Sequence, residues 1–312
     1  MVESQESITA KLCLFARAFH SNFGKNKIFD DYLSFDLMGR EQYEEIGQLI
    51  ENDFELSKFN RNACFCHKSI KDVLYKYILP IPLSRIKFAE TELSNFAKLK
   101  GAMGGKIQYV ICGAGMDSFG FRNELGNIKI FEVDHPDTQK YKLSRIKELE
   151  WNIPQNLTFV SVDFAKDSLK EKLLEKGFNE NIPTFTAILG VSYYLTLPVF
   201  EQTLKTVSEI SPNESKVIFD FPDETTFSEN QASRVMELAK VTEKLGEKML
   251  YGFSVEEIVS ALERNSLQVA MHYDPQTIQK LYFEGRNDGL KAYENVHFMM
   301  AEKKSLSEDY EF

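Results

Sequence analysis

The chain has 312 residues, 43% hydrophobic and 27% charged, enough apolar material to bury a sizeable core, which excludes a disordered protein. Its 37 basic and 47 acidic residues give a net charge of −10, which argues against a protein held non-specifically on nucleic-acid phosphates. No apolar run approaches the roughly 20 residues needed to span a bilayer, and the polar start MVESQES does not read as a signal peptide, so the expected compartment is the cytoplasm.

Residues 1 to 100 are expected to be mostly helical. Ile8 to Phe23 places apolar residues at Ile8, Leu12, Phe15, Phe19 and Phe23, close to helical spacing, with Ser7 placed to cap the start. Further helices are expected at Asp36 to Phe54, Ser69 to Lys76 and Ser84 to Lys100, with Pro80 and Pro82 breaking the pattern between the last two. Gly101, Gly104 and Gly105 end the last one. The four cysteines, Cys13, Cys64, Cys66 and Cys112, have neither the number nor the spacing of a disulfide framework. Cys64-Phe65-Cys66-His67 lacks a second ligand pair for a metal and is expected to be ordinary helix.

From Lys106 the texture changes. Short apolar runs at 107 to 112, 128 to 133, 157 to 162, 184 to 189 and 215 to 220 alternate with helical segments. Five strands separated by helices predict a parallel, doubly wound sheet. Residues 221 to 262 carry a charged helix at about Glu229 to Leu245. A second helix opens at Ser254, with Glu257 in capping-box position. Two more strands, Gln268 to Tyr273 and Val296 to Ala301, are separated by a long loop without a clear helix and predict an antiparallel pair at the sheet edge. The tail Ser305 to Phe312 is polar and acidic.

The chemistry concentrates after the strands. The first strand runs into Gly113-Ala114-Gly115, and Asp117 and Ser118 can cap the helix that follows. Strand, glycine turn and helix start bring backbone close to a ligand. The second strand ends in Asp134, which can accept hydrogen bonds from ribose hydroxyls. A pyrophosphate would be repelled by Asp117 at the turn, and the third glycine of a GxGxxG pattern is replaced by Ser118. A sulfonium cofactor with a free amino group tolerates such an acid, which favours S-adenosylmethionine over NAD. Asp163 and Phe164, after the third strand, read either as adenine contacts or as the start of the next helix. The fourth strand leads into Leu189-Gly190-Val191-Ser192-Tyr193-Tyr194, where a substrate pocket would open, although at least one of the two tyrosines is expected to be structural. His135, before Pro136, reads as a loop residue near the adenosine and not as a base. Arg122 is expected to brace the turn on Glu124 or Asp117.

In combination, Ser84-Arg85 with Phe88-Ala89-Glu90, YVICGAGMDSFGFR, FEVDHPDTQKYK, VSVDF, LGVSYYLT, FDFP and Tyr282 to Leu290 resemble the leucine carboxyl methyltransferase and tetracenomycin O-methyltransferase-like family of class I S-adenosylmethionine-dependent methyltransferases, most closely its bacterial branch. The resemblance spans nearly the whole chain. It implies a single Rossmann-like α/β domain with a mostly parallel seven-stranded sheet and an antiparallel edge. Within it, 1–105 would be helical, 106–220 the cofactor-binding core, 221–262 a helical cap insertion and 263–304 the closing strands.

The resemblance also implies that Arg85 pairs with the cofactor carboxylate, helped by Arg17, and that Gly113 meets the methionine part. Asp134 would hold the ribose, and Asp163 with Phe164 the adenine. Ala114, Gly115, Asp117, His135, Leu189 and Gly190 would complete the cofactor contacts. Leu189 stands where eukaryotic members carry a glutamate, so their phosphatase substrate does not carry over. Tyr193, Tyr194 and Phe221 are candidate liners of a pocket for a small-molecule or peptide methyl acceptor. No dedicated base is evident, which favours a carboxylate or an already acidic hydroxyl. The alternatives are a cofactor-binding protein without catalysis and a nicotinamide-dependent oxidoreductase.

Overall fold

The computed structural model describes residues 7–53, 70–164, 166–227, 234–244, 246–249 and 251–304. Cys64, Cys66, His67, the tail from Ser305 and the first part of the helix expected from Glu229 lie outside the described residues.

Seven strands form one sheet: β1 (Ile107–Cys112), β2 (Ile128–Asp134), β3 (Leu157–Ser161), β4 (Thr184–Ile188), β5 (Lys216–Pro222), β6 (Leu267–Tyr273) and β7 (Val296–Lys303). Their order is β3-β2-β1-β4-β5-β7-β6. The first five pair in parallel, and β7 runs antiparallel to both β5 and β6. Every residue of β1 is buried, because helices cover both faces of the sheet. Its side chains alternate accordingly. Ile107, Tyr109 and Ile111 join the core under the N-terminal helices, whereas Val110 and Cys112 join the core on the other face. Phe96 packs on Phe185 across the first face, and Phe200 packs on Phe219 across the second. The chain reverses direction across the sheet between β1 and β4, which opens a crevice at their carboxyl ends.

The N-terminal helix, Ile8–Phe23, is capped by Ser7 as its sequence predicts, with the Ala10 amide donating to Ser7 Oγ at 3.1 Å. Other boundaries differ for identifiable reasons. The helix expected over Asp36 to Phe54 is two helices, Ser34–Met38 and Arg40–Asp53, separated at Gly39, whose φ of +80° no helix tolerates. Pro80 and Pro82 do not break the next pattern. They lie in the first turn of a helix that runs Pro80–Ala102, where a missing N–H costs nothing, and a single π-turn, Leu74–Ile78, leads into it. The loop between β6 and β7 holds a helical segment, Pro275–Ile278 continued by the π-turn Gln279–Phe283, started by Asp274 accepting from the Thr277 amide at 2.7 Å. The capping box at Ser254 and Glu257 is present. No described helix is long and apolar enough to cross a membrane.

His20 reports on the packing of this helical layer. It is fully buried, and its Nε2 accepts from the Ile28 amide at 3.0 Å. Burial, with the nearby Arg286 charge, lowers its pKa from 6.5 to about 4. Between those values the unfolded chain binds a proton that the folded chain refuses. Stability is therefore full above about 6.5 and is lost as the pH falls toward 4. Melting temperatures taken across that window should show this slope, and His20→Gln should flatten it.

Candidate cofactor site and adjoining cavity

The site is built on the carboxyl ends of β1, β2 and β4. Directly after Cys112 the chain turns at Gly113, whose φ is +69°. The amides of Gly113 and Ala114 both donate to the Val133 carbonyl, at 2.9 and 3.1 Å, which ties the turn to the end of β2. A Cβ at Gly113 would stand 2.8 Å from Val191 Cγ2. Gly113→Ala should therefore destabilise the fold by about 1–2 kcal/mol for the left-handed backbone alone, read as a drop in melting temperature, and should weaken any ligand seated on the turn.

The Gly115 amide donates to Asp134 Oδ2, and the His135 amide donates to Oδ1 at 2.7 Å. Asp134 thus clasps the glycine turn from β2. Burial raises its carboxyl above the ordinary value. When ionised, a carboxylate offers about four acceptor positions, so two amides leave capacity for ligand hydroxyls. His135 caps the helix Pro136–Glu148 by accepting from the Asp137 amide. Asp163 follows β3, with its carboxylate 2.7 Å from Lys166 Nζ, and Phe164 beside it is 52% exposed. The helix after it, Leu169–Glu175, takes Ser168 as its cap, so neither Asp163 nor Asp167 fills that role.

Below the turn lies a buried ionic network. Asp117 accepts from the Phe119 amide at 2.6 Å. The Ser118 hydroxyl donates to Asp31, which also pairs with Arg17 at 2.7 Å. Arg17 donates its other terminal nitrogen to the Met116 carbonyl at 2.6 Å, so its guanidinium ties the N-terminal helix to the glycine turn. Arg122 pairs with neither Glu124 nor Asp117. It grips Glu90 with two hydrogen bonds, 2.6 and 3.2 Å, and lies 3.2 Å from Asp31, because the helix Pro80–Ala102 brings Glu90 over the turn.

A second cluster sits after β4. Asp220, on β5 and fully buried, accepts from the Gly190 amide at 2.6 Å and from Tyr193 Oη at 2.9 Å. It also pairs with Arg85 at 3.1 Å. The Arg85 guanidinium lies against Gly190, 2.5–2.7 Å from where a Cβ would stand, so a side chain at that position would displace it. Its Nη2 reaches Cys13 Sγ at 3.4 Å, and its buried Nε has no hydrogen-bond partner among the described residues. Asp220 was not singled out from the sequence, and the signal that could have found it is a lone acid inside the apolar run KVIFDFP. Leu189 is half-buried against the core and offers no charge.

A cavity opens beside this cluster. Arg85, Gly190, Tyr193 and Tyr194 form one side, and Leu12 and Cys13 come from the N-terminal helix. Val235, Leu238, Thr242 and Met249 close it from the segment after β5. Tyr193 and Tyr194 both line this cavity, and Phe221 does not. Its ring is fully buried in the opposite core, stacked 5.3 Å from His297, because alternation along β5 points Asp220 and Phe221 to opposite faces.

The model of the family described as leucine carboxyl methyltransferase matches residues 10–208. The chain belongs to that family. It is accordingly an S-adenosylmethionine-dependent methyltransferase. The names of similar proteins agree with this. The chain is 35% identical to YktD of Bacillus subtilis (strain 168), across 97% of this chain and 100% of that protein, which carries the name of an S-adenosyl-L-methionine-dependent methyltransferase. A similarly named protein of Mycolicibacterium gilvum (strain PYR-GCK) is 27% identical over 36% of this chain and 37% of its own length. Among solved structures, a duf574 family protein from Streptomyces avermitilis superposes with a TM-score of 0.57 at 10% identity, covering 97% of this chain and 100% of that one. A protein from Thermobifida fusca, titled as a methyltransferase, reaches 0.56 at 14% identity and 97% of both chains. At such identities these two likenesses concern the fold alone. The residues present suit the family's cofactor: a bare glycine turn where a Cβ would strike Val191, a clasped carboxylate with open acceptor positions, and a buried guanidinium with one nitrogen unengaged.

Proposed function

We propose that this protein, in the cytoplasm, transfers the methyl group of S-adenosylmethionine to an oxygen atom, of a carboxylate or an acidic hydroxyl, on a small molecule or peptide. The observation that carries the reading is the cavity that shares Arg85 and Gly190 with the floor of the cofactor site. When bound, the cofactor supplies a methyl carbon on positively charged sulfur, already activated toward an oxygen nucleophile. Asp134 holds the ribose hydroxyls on the acceptor positions its two amides leave free. Asp163 and the exposed face of Phe164 take the adenine, and Ala114, Gly115 and His135 shape the wall between ribose and base. Arg85 directs its guanidinium to the cofactor carboxylate, and Asp220 keeps that guanidinium in place. Tyr193, Tyr194 and the apolar residues of the cap segment hold the acceptor and keep water out, so that proximity and orientation supply several kcal/mol, up to about 7–11.

A calorimetric titration with S-adenosylmethionine, run beside NAD, tests the cofactor half. Heat from the methyl donor and none from NAD is the expected result; tight NAD binding without it would sink the reading. Transfer of labelled methyl groups to components of a cell extract then tests turnover.

A further inference from the structure

Two elements that border the ligand space are each anchored away from one end, and those ends meet at Glu247. The N-terminal helix, Ile8–Phe23, is fixed at its middle by Arg17, which binds Asp31 and the Met116 carbonyl. Its first turn lies against the glycine turn, where Ala10 Cβ is 3.1 Å from the place a Cβ on Gly115 would occupy. The helix Arg234–Lys244 supplies Val235, Leu238 and Thr242 to the cavity wall. It is fixed at its start by Arg234, which donates to the Lys76 carbonyl at 3.1 Å and the Lys291 carbonyl at 3.3 Å and lies over the Tyr293 ring. At its other end the Glu247 amide donates to the Thr242 carbonyl at 2.8 Å. The Glu247 carboxylate then crosses to the N-terminal helix. It accepts from the Ile8 amide at 2.8 Å, from the Thr9 amide at 3.2 Å and from the Thr9 hydroxyl. A helix start leaves such amides without an internal partner, and its dipole favours a carboxylate there. Tyr194 Oη joins the same point, 3.0 Å from Thr9 Oγ1. The buried apolar group described at this end is small: Tyr193, Ala239 and Met249, with Tyr194 and Phe227 packed against it.

We propose that Glu247 is a positioning residue that fastens these two elements into one cover, and that S-adenosylmethionine and its product enter and leave when its contacts to Ile8 and Thr9 part. The methyltransferase reading enters only through the identity of the ligand that passes. The anchored ends and the meeting point differ in strength. Arg17 and Arg234 each hold several partners, and Val235 beside Arg234 is fully buried. Glu247 is half-buried, so water can replace its donors as they withdraw. Exchanging protein hydrogen bonds for water costs little net, far less than unfolding either helix, so opening at this point precedes any larger loss of structure. One carboxylate thus joins the element over the glycine turn to the wall of the cavity. A cofactor on the turn and an acceptor against Leu238 and Thr242 are enclosed by the same closure, and each ligand that favours the closed arrangement helps to retain the other.

The test compares the full wild-type chain with Glu247→Ala and Thr9→Val. Association and dissociation of S-adenosylmethionine and S-adenosylhomocysteine are followed by surface plasmon resonance, and hydrogen exchange is measured on the ligand-free chain. A fastening changes how often the site is open, so its loss should raise both rate constants together and leave the affinity nearly constant. Glu247→Ala should speed both by about 10-fold or more, the scale of losing hydrogen bonds to a charged group. Thr9→Val, which removes one of the three donors and keeps both amides, should speed both by less. In Glu247→Ala, the amides of residues 8–12 and 235–244 should exchange faster together, with β1 to β5 unchanged. Unchanged rate constants in Glu247→Ala, or weaker affinity without faster association, overturns the proposal and makes Glu247 an ordinary structural contact. Faster exchange throughout the sheet does the same. If the wild-type chain binds neither compound while residues 8–12 and 235–244 still loosen together, the fastening stands and the methyltransferase reading falls. If those residues do not loosen together, the proposal falls by itself.

Discussion

Asp220→Ala should lower folding stability by about 3–5 kcal/mol, the usual consequence of stranding one partner of a buried ion pair. The carboxylate is fully buried and carries three donors: Arg85 at 3.1 Å, Tyr193 Oη at 2.9 Å and the Gly190 amide at 2.6 Å. Without it, a guanidinium that is itself nearly inaccessible has no counter-charge, and two further donors lose their acceptor. Urea unfolding at neutral pH measures the loss. A double variant, Asp220→Ala with Arg85→Met, should lose less than the sum of the two single changes, because the second substitution removes the charge that the first leaves stranded. Strict additivity would show that the two groups do not act on each other. The same substitution should also disorder the cavity wall, since Gly190 and Tyr193 are both fixed by Asp220.

Asp134→Ala should weaken S-adenosylmethionine binding by about 1–3 kcal/mol, or roughly 5- to 150-fold, the ordinary cost of losing hydrogen bonds to a charged group. Two effects act together. The ribose loses its acceptor, and the Gly115 and His135 amides that clasp the carboxylate lose theirs, so the glycine turn loosens. Asp134→Asn separates the two. An amide oxygen can keep one of the backbone bonds, so the turn should be partly retained while affinity still falls. Calorimetric affinities for the two variants, beside their melting temperatures, read out both effects. Unchanged affinity in Asp134→Ala would mean that the ribose lies elsewhere.

Asp220 and Asp134 were not equally visible beforehand. Asp134 ends an apolar run at a fixed interval from a glycine turn, and strand, turn and acid follow one another within about thirty residues. Local chemistry of that kind is written in the order of the residues. A positive-φ position selects glycine, a helix start selects a side-chain oxygen, and a strand covered on both faces selects an unbroken apolar run. For the same reason the sheet, its antiparallel edge, the Ser7 cap and the Ser254–Glu257 capping box could be read directly. The departures were local too. Gly39 splits a helix, and Pro80 opens one that had been placed four residues later, because proline's effect depends on whether it falls in the first turn or the interior.

What only the tertiary structure decided is the pairing of charges and hydroxyls far apart in the chain. Arg85 and Asp220 are 135 residues apart, and Thr9 and Glu247 are 238 apart. Arg122 found Glu90 and Asp31 in place of its sequence neighbours. Phe221 went to one core and Asp220 to the buried cluster with Arg85 and Tyr193, a choice made by the alternation of one strand against two different layers. A carboxylate in sequence carries no label for its partner, since Coulomb attraction depends on distance and burial, and both exist only after the helices have packed on the sheet. The sequence by itself therefore determined the fold and the glycine turn with its clasping acid. The packing of the N-terminal helix and the segment after β5 around one cavity determined which groups line it.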